Sequence, residues 1–201
     1  MALKQTIAII GATESTGSDI SKSLSKGSSY RLLLMGKDEE ALDALKTNLI
    51  ASGANAEIES NSCAKEACWE ADVIIIATNN ELEQDVIDRI KEVAIGKIVV
   101  SVSSPFTRTY KAYAGSSETS AAEELQKLLP YSKVVKTFNT VFARDFKTSS
   151  IVNDTGEIFI AGNNSDALEV VSKIILSAGF IPIIVGDLSV SRRLETLRLH
   201  G

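Results

Sequence analysis

The sequence has few of the residues that most often carry catalysis. Among 201 residues it holds one histidine, two cysteines, three prolines and one tryptophan. A lone histidine, His200, argues against histidine-centred triads and multi-histidine metal sites within one chain. Cys63 and Cys68 stand five apart in a segment of helical character, so they point away from each other and match no metal-ligand spacing. Both are expected to be reduced bystanders. Positive charge is scarce too: 21 Lys and Arg stand against 26 Asp and Glu, a formal net charge of −5. That balance argues against a nucleic-acid partner, whose phosphates need clustered cations. No apolar run is long enough to cross a bilayer, and the one near the N-terminus is too short for a secretory signal. The expectation is a cytoplasmic protein with no membrane partner. Repeats, low-complexity tracts and proline-rich linkers are absent as well.

What is present organises around residues 4–20. Ile7 to Ile10 is a short, largely β-branched run that suits a parallel strand buried on both faces, and Gly11 supplies the freedom to turn at its end. A helix is expected to begin near Ser15 or Thr16. Its first amides have no partner within the helix and its dipole is positive there, so a pyrophosphate would meet several donors at once. The loop Gly11, Ala12, Thr13, Ser15, Thr16 and Gly17 is therefore a candidate phosphate cradle. Dinucleotide fingerprints carry three glycines; here Gly11 and Gly17 are two, and Glu14 stands at the middle position. A carboxylate beside a pyrophosphate repels it unless the side chain turns to solvent.

Strand and helix patterns then alternate. Helices are expected over Thr16 to Ser25, Glu39 to Ser52, Glu81 to Val93, Ser120 to Pro130 and Ser165 to Ser177, the fourth opening on a Ser120/Glu123 capping box. Strands are expected over Tyr30 to Met35, Ala56 to Glu59, Asp72 to Ala77, Lys97 to Val102, Lys133 to Lys136, Glu157 to Ala161 and Phe180 to Val185. Cys63 to Glu70 reads as a short connector, and a short helix follows Asp187. With 44% hydrophobic residues the chain can bury a large core. The order implies an α/β fold: a single-domain, three-layer, doubly wound and mostly parallel Rossmann-type sheet. Residues 1–185 are expected to form an NAD(P)-binding domain and residues 186–201 a short helical appendage.

In such sheets ligands sit beyond the carboxyl ends of the strands. After the second strand come Gly36, Lys37 and Asp38. An NAD site usually offers a carboxylate there and a 2′-phosphate wants a cation; Lys37 is that cation, while Asp38 can turn to the start of the next helix. After the fourth strand come Ala77, Thr78 and Asn79, small groups able to bond ribose and phosphate oxygens or simply to cap a helix. Ser103 and Ser104, before Pro105, could line the nicotinamide end. Beyond the sixth, Phe138 stands beside Asn139.

The set Gly11-Ala12-Thr13 with Gly17, Met35-Gly36-Lys37, Asp72-Val73-Ile74, Ser103-Ser104-Pro105, Lys136-Thr137-Phe138-Asn139-Thr140 and Gly186-Asp187-Leu188 with Arg192-Arg193-Leu194-Glu195 resembles the NADP oxidoreductases that use coenzyme F420. Their fold also serves as the nucleotide domain of membrane ferric reductases. The resemblance implies NADP(H) as cofactor and hydride transfer between nicotinamide and a deazaflavin (coenzyme F420) or a flavin, with no protein acid or base. It maps the 2′-phosphate to Lys37 and Gly36 and places Asn139 near the nicotinamide. It also implies a homodimer, with Arg192, Arg193 and Leu197 as candidate contacts or, alternatively, as a cap on their own sheet. Glu14, Ser104 and Asn79-Asn80 depart from the family pattern, the latter two where a second ring would stack.

Two other readings fit the residues. One is an atypical short-chain reductase, against which stands the lack of any Tyr-x-x-x-Lys pair: Tyr30, Tyr110, Tyr113 and Tyr131 have no lysine four residues on. The other is a non-catalytic NADP(H) sensor or partner module, which Glu14 and the altered ring-side loops favour.

Overall fold

The apolar runs of the sequence become the strands of one sheet. The computed structural model describes residues 4–78, 83–102, 119–138 and 156–196. In chain order these form β1 (Gln5–Ile10), α1 (Ser15–Ser25), β2 (Tyr30–Met35), α2 (Glu39–Ala51), β3 (Glu57–Ser60), α3 (Ala64–Glu70), β4 (Val73–Ile76), α4 (Glu83–Ile90) and β5 (Ile98–Ser101). They continue with α5 (Ala121–Leu128), β6 (Lys133–Lys136), β7 (Glu157–Gly162), α6 (Ser165–Ser177), β8 (Ile181–Gly186), a 3-10 turn over Leu188–Val190, and α7 (Ser191–Thr196). The expected connector after Cys63 is thus a helix, α3. Only Ala67 and Cys68 of its seven residues are buried, too few for a periodic apolar stripe.

The strand order is β3-β2-β1-β4-β5-β6-β7-β8. β1 to β6 are parallel throughout, β7 runs antiparallel to β6, and β8 pairs parallel with β7. The sheet is mostly parallel, and its departure is confined to the last two strands. Successive residues of a strand face opposite sides, and the core divides accordingly. Ile7 and Ile9 join Ile20, Leu24, Leu42, Val171 and Ile174 from α1, α2 and α6. Ala8 and Ile10 join Cys68, Ile87, Ile90 and Leu125 from α3, α4 and α5. These are the three layers expected of a doubly wound sheet. Among the described residues no helix is long and apolar enough to cross a membrane.

Helix starts follow local chemistry. Asp38 accepts from the Ala41 amide at 3.0 Å and Asn164 from the Ala167 amide at 2.9 Å, while Ser120 and Glu123 form the reciprocal box over α5. α1 and α3 are exceptions, because Glu14 and Cys63 sit at their N-caps and make no side-chain cap bond.

The end of the described chain is fastened to this frame. Glu195, 3% exposed, accepts from the amides of Ala121 at 2.8 Å and Ala122 at 3.2 Å, so it caps the N-terminus of α5 from a distant part of the sequence. One of its oxygens lies 3.5 Å from Nζ of Lys136, which is wholly buried at the end of β6. Ser120 and Ser191 hydroxyls meet at 2.6 Å, and Arg192 grips Glu123 through two bonds of 2.8 and 2.6 Å. Burial alone would raise the Glu123 carboxyl, yet the bonds from Arg192 and Ser120 hold it below the ordinary carboxylate range. Arg192 and buried Leu194 are therefore engaged within their own chain. Removing one member of a buried ion pair strands its partner's charge. Glu195→Ala is expected to cost about 3–5 kcal/mol of folding stability, read by urea denaturation. A cost near zero would show that the pair and the α5 cap are dispensable.

Candidate functional site

The carboxyl end of β1 is held by backbone contacts that leave no room for side chains. Gly11 has φ +82°, and a Cβ there would lie 2.8 Å from the carbonyl oxygen of Ala77 at the end of β4. Both Gly11 and Ala12 amides donate to the Met35 carbonyl, at 2.9 and 2.7 Å, tying the turn to β2. Gly17 lies within the first turn of α1, where a Cβ would fall 2.0 Å from the Gly11 carbonyl oxygen. Helix and strand end thus meet backbone to backbone. The Ser15, Thr16 and Gly17 amides open the helix at its positive end, with no side-chain cap from Glu14.

Beside this turn, Gly36 stands where a Cβ would come within 2.8 Å of Thr13 Oγ1. Lys37 follows, exposed, and pairs with no carboxylate among the described residues. Asp38 does not oppose it, since its carboxylate is committed to capping α2.

These elements enclose a cleft of about 460 Å³. Ile10, Gly11, Thr13 and Glu14 line it from the β1 turn, Met35, Gly36 and Lys37 from the end of β2, and Thr78 from the end of β4. Its remaining walls are Glu39 and Leu42 of α2, Ser62 and Ala64 after β3, and Asp85, Val86 and Arg89 of α4. The cleft lies where the strand order reverses, between the β1–β2–β3 half and the half that begins with β4.

Of the candidate residues, Gly11, Thr13, Gly36, Lys37 and Thr78 line this cleft. Ala12, Gly17 and Ala77 are buried around it as packing, and Ser15 and Thr16 stand at the start of α1. Asn79, Ser103, Ser104 and Asn139 lie outside the described residues, as do Asn80, Pro105, Phe106 and Thr140. Glu14 is half-buried and lines the cleft, so it does not turn fully to solvent. Sequence reasoning missed the α4 wall. Its signal was the spacing of Asp85, Val86 and Arg89, which share one helical face just beyond β4.

Further along the sheet, Phe138 is buried rather than exposed and adopts φ +57°, a left-handed conformation that strains a bulky residue. Before it, Thr137 donates its hydroxyl to the Phe159 carbonyl at 3.0 Å, and Lys136 is gripped by Glu195. Ser101, in register with Lys136, keeps a buried hydroxyl without a hydrogen-bond partner among the described residues. Nucleophilic chemistry from Cys68 has no support, because burial pushes its thiol up to about 12 and away from its thiolate form at neutral pH. No group of three or more His, Cys, Asp or Glu could hold a metal among the described residues.

Comparison with known proteins agrees with this geometry. Residues 6–113 match the family of NAD-binding domains of semialdehyde dehydrogenase. The chain is similar to the F420-dependent NADP reductase of Methanocaldococcus jannaschii, 30% identical over 202 residues that span 95% of this chain and 88% of the relative. It is also similar to the human metalloreductase STEAP2, 29% identical over 136 residues, which are 68% of this chain and 26% of that longer protein. In fold it matches the crystal structure of a candidate F420-dependent NADP reductase from Arthrobacter sp. FB24, with a TM-score of 0.76, 19% identity, and coverage of 98% of this chain and 91% of the other.

The two close contacts differ in what must give way. A methyl at Gly17 meets a backbone carbonyl at 2.0 Å, whereas one at Gly36 meets the side-chain γ atoms of Thr13 at 2.8 and 2.9 Å. Gly17→Ala is expected to cost about 1–3 kcal/mol in stability and Gly36→Ala less than about 1 kcal/mol, measured by thermal or urea unfolding. Equal costs would contradict the backbone-to-backbone reading of α1 on β1.

Proposed function

We propose, from the premise that this chain belongs to the F420-dependent NADP reductase family and is an NADP-dependent oxidoreductase, that its hydride partner is a deazaflavin of the coenzyme F420 type. The observation that carries the reading at this site is Lys37: a cation at the end of β2, in the cleft, with its neighbouring carboxylate spent on a helix cap. That arrangement favours a 2′-phosphate over free ribose hydroxyls.

The residues present fit NADP(H). Gly11 and Gly17 let the end of β1 and the first turn of α1 pack backbone to backbone, and the opening amides of α1 would hold the pyrophosphate. Thr13 and Gly36 would shape the wall beside the adenosine ribose, and Lys37 would hold the 2′-phosphate. We assign the nicotinamide end to Ser103, Ser104 and Asn139, following the family resemblance. When bound, the cofactor supplies or accepts a hydride. The protein's part is to align the two rings and exclude water, which needs no acid or base from the chain. This suits a chain whose single histidine is His200. The anchored end of β6 supports a positioning role for the segment that follows it, because Lys136 and Thr137 are both tied to other elements just before Asn139. Residues 1–185 as the nucleotide-binding unit, 186–201 as its C-terminal fastening, and a homodimeric assembly belong to the same proposal.

The test begins with calorimetric titration of NADPH and NADH at one salt concentration, followed by NADPH-driven bleaching of coenzyme F420. Tighter NADPH binding and bleaching are expected; bleaching of a flavin alone would move the hydride partner to that class. Lys37→Ala is expected to weaken NADPH binding by about 1–3 kcal/mol while barely changing NADH, and equal losses would sink the 2′-phosphate assignment. Glu14→Gln removes a charge from the phosphate side of the cleft and is expected to tighten both dinucleotides by up to about 1 kcal/mol. Unchanged or weaker binding in the same titration would mean that Glu14 does not obstruct the phosphates.

A further inference from the structure

We infer that Arg89, on α4, is a second specificity-determining cation for the 2′-phosphate, meeting it from the side opposite Lys37. The inference rests on the reading of this cleft as the NADP(H) site. The strand order β2-β1-β4 puts the two cations on either side of the β1 end, Lys37 in the loop after β2 and Arg89 on the helix after β4, and both line the same cleft.

The charge around them makes one cation insufficient. Glu14, Glu39 and Asp85 also line the cleft, so three carboxylates face two cations. A 2′-phosphate brings about −1.5 to −2 more at neutral pH. With Lys37 as its sole partner it would sit in a field of net negative charge; a guanidinium adds both a second positive charge and a planar fork that matches phosphate oxygens.

Arg89 is also left available by its surroundings. It makes no side-chain hydrogen bond or ion pair with any described residue, although Asp85 lies one turn before it on the same face. Neighbouring Asp88 takes Gln84 at 3.4 Å and Lys91 at 3.6 Å instead. Arg31 and Arg192, by contrast, are each held by carboxylates at 3.0 Å or less. An exposed arginine on a cleft wall, unpaired beside available acids, is placed to meet an anion that arrives from solution.

The experiment is calorimetric titration of wild type, Arg89→Gln and Lys37→Ala with NADPH, NADH and adenosine 2′,5′-bisphosphate. Arg89 is exposed, so its replacement leaves the core intact. Arg89→Gln is expected to weaken NADPH and the bisphosphate by about tenfold or more and to leave NADH within about twofold. Equal weakening of NADPH and NADH would overturn the inference and move Arg89 to the adenine ring or the pyrophosphate. No effect of Arg89→Gln alongside a clear loss in Lys37→Ala would overturn it while leaving the cleft's assignment standing. If wild type binds none of the three, the reading of the cleft itself fails, and this inference falls with it.

Discussion

The contact between the first turn of α1 and the Gly11 carbonyl, just beyond β1, sets the geometry on which the rest depends. Gly17 has no side chain because the Gly11 oxygen occupies the place where one would be. That forces α1 to begin directly over the strand end, with its free amides beside the point where β1, β2 and β4 finish. Any looser packing would tilt the helix and carry the positive end of its dipole away from the cleft. The second constraint at this turn comes from Gly11, whose positive φ lets the chain reverse between Ala77 and Met35 without striking either. Sequence and fold are joined here through steric exclusion and the two backbone hydrogen bonds to Met35.

At the other end of the parallel sheet, order comes from buried charge. Glu195 satisfies two amides of α5 and stands against Lys136, so one carboxylate joins α7, α5 and β6. Ion pairs this deep are weak sources of net stability but strict about geometry, because neither charge can be left alone. Their value at this position is positional. Lys136 immediately precedes Thr137 and the strained Phe138, and strain persists only where the surroundings overdetermine it.

Much of this was legible in the sequence, for physical reasons that can be named. Parallel strands buried on both faces appear as unbroken apolar runs, so β2 and β6 had the same bounds from pattern as from structure, as did α6. Gly11, Gly36 and Lys37 were legible because strand ends locate ligands in doubly wound sheets. The helix α3 was legible only as helical character around its cysteines within a short connector, having two buried residues and no cap bond. The reversed direction of β7 was not legible, since strand polarity is decided by the connection and pairing rather than by residues 157–162 themselves. The Arg192 to Glu195 pattern could be noticed, yet its role could not be read, because its partners Glu123, Ala121 and Lys136 lie far away in sequence. Arg89 escaped notice because only the fold brings α4 to the same cleft as the loop after β2.

The acidic lining of the cleft bears on how it can prefer a phosphorylated cofactor. Glu14, Glu39 and Asp85 oppose every anion that enters, and the exposed Glu39 and Asp85 each oppose it by about 1 kcal/mol or less. Such a background is nearly indifferent to direction. Hydrogen bonds from a lysine or a guanidinium are directional, and those made to charged groups contribute about 1.5–3 kcal/mol each. Selectivity between NADPH and NADH at such a site would therefore depend on where two or three donors point as well as on the charge that they offset. The same logic explains how Asp38 can sit beside Lys37 without spoiling the site. Bound to the Ala41 amide at the start of α2, its carboxylate is directed to the helix dipole, and Lys37 remains available to the ligand.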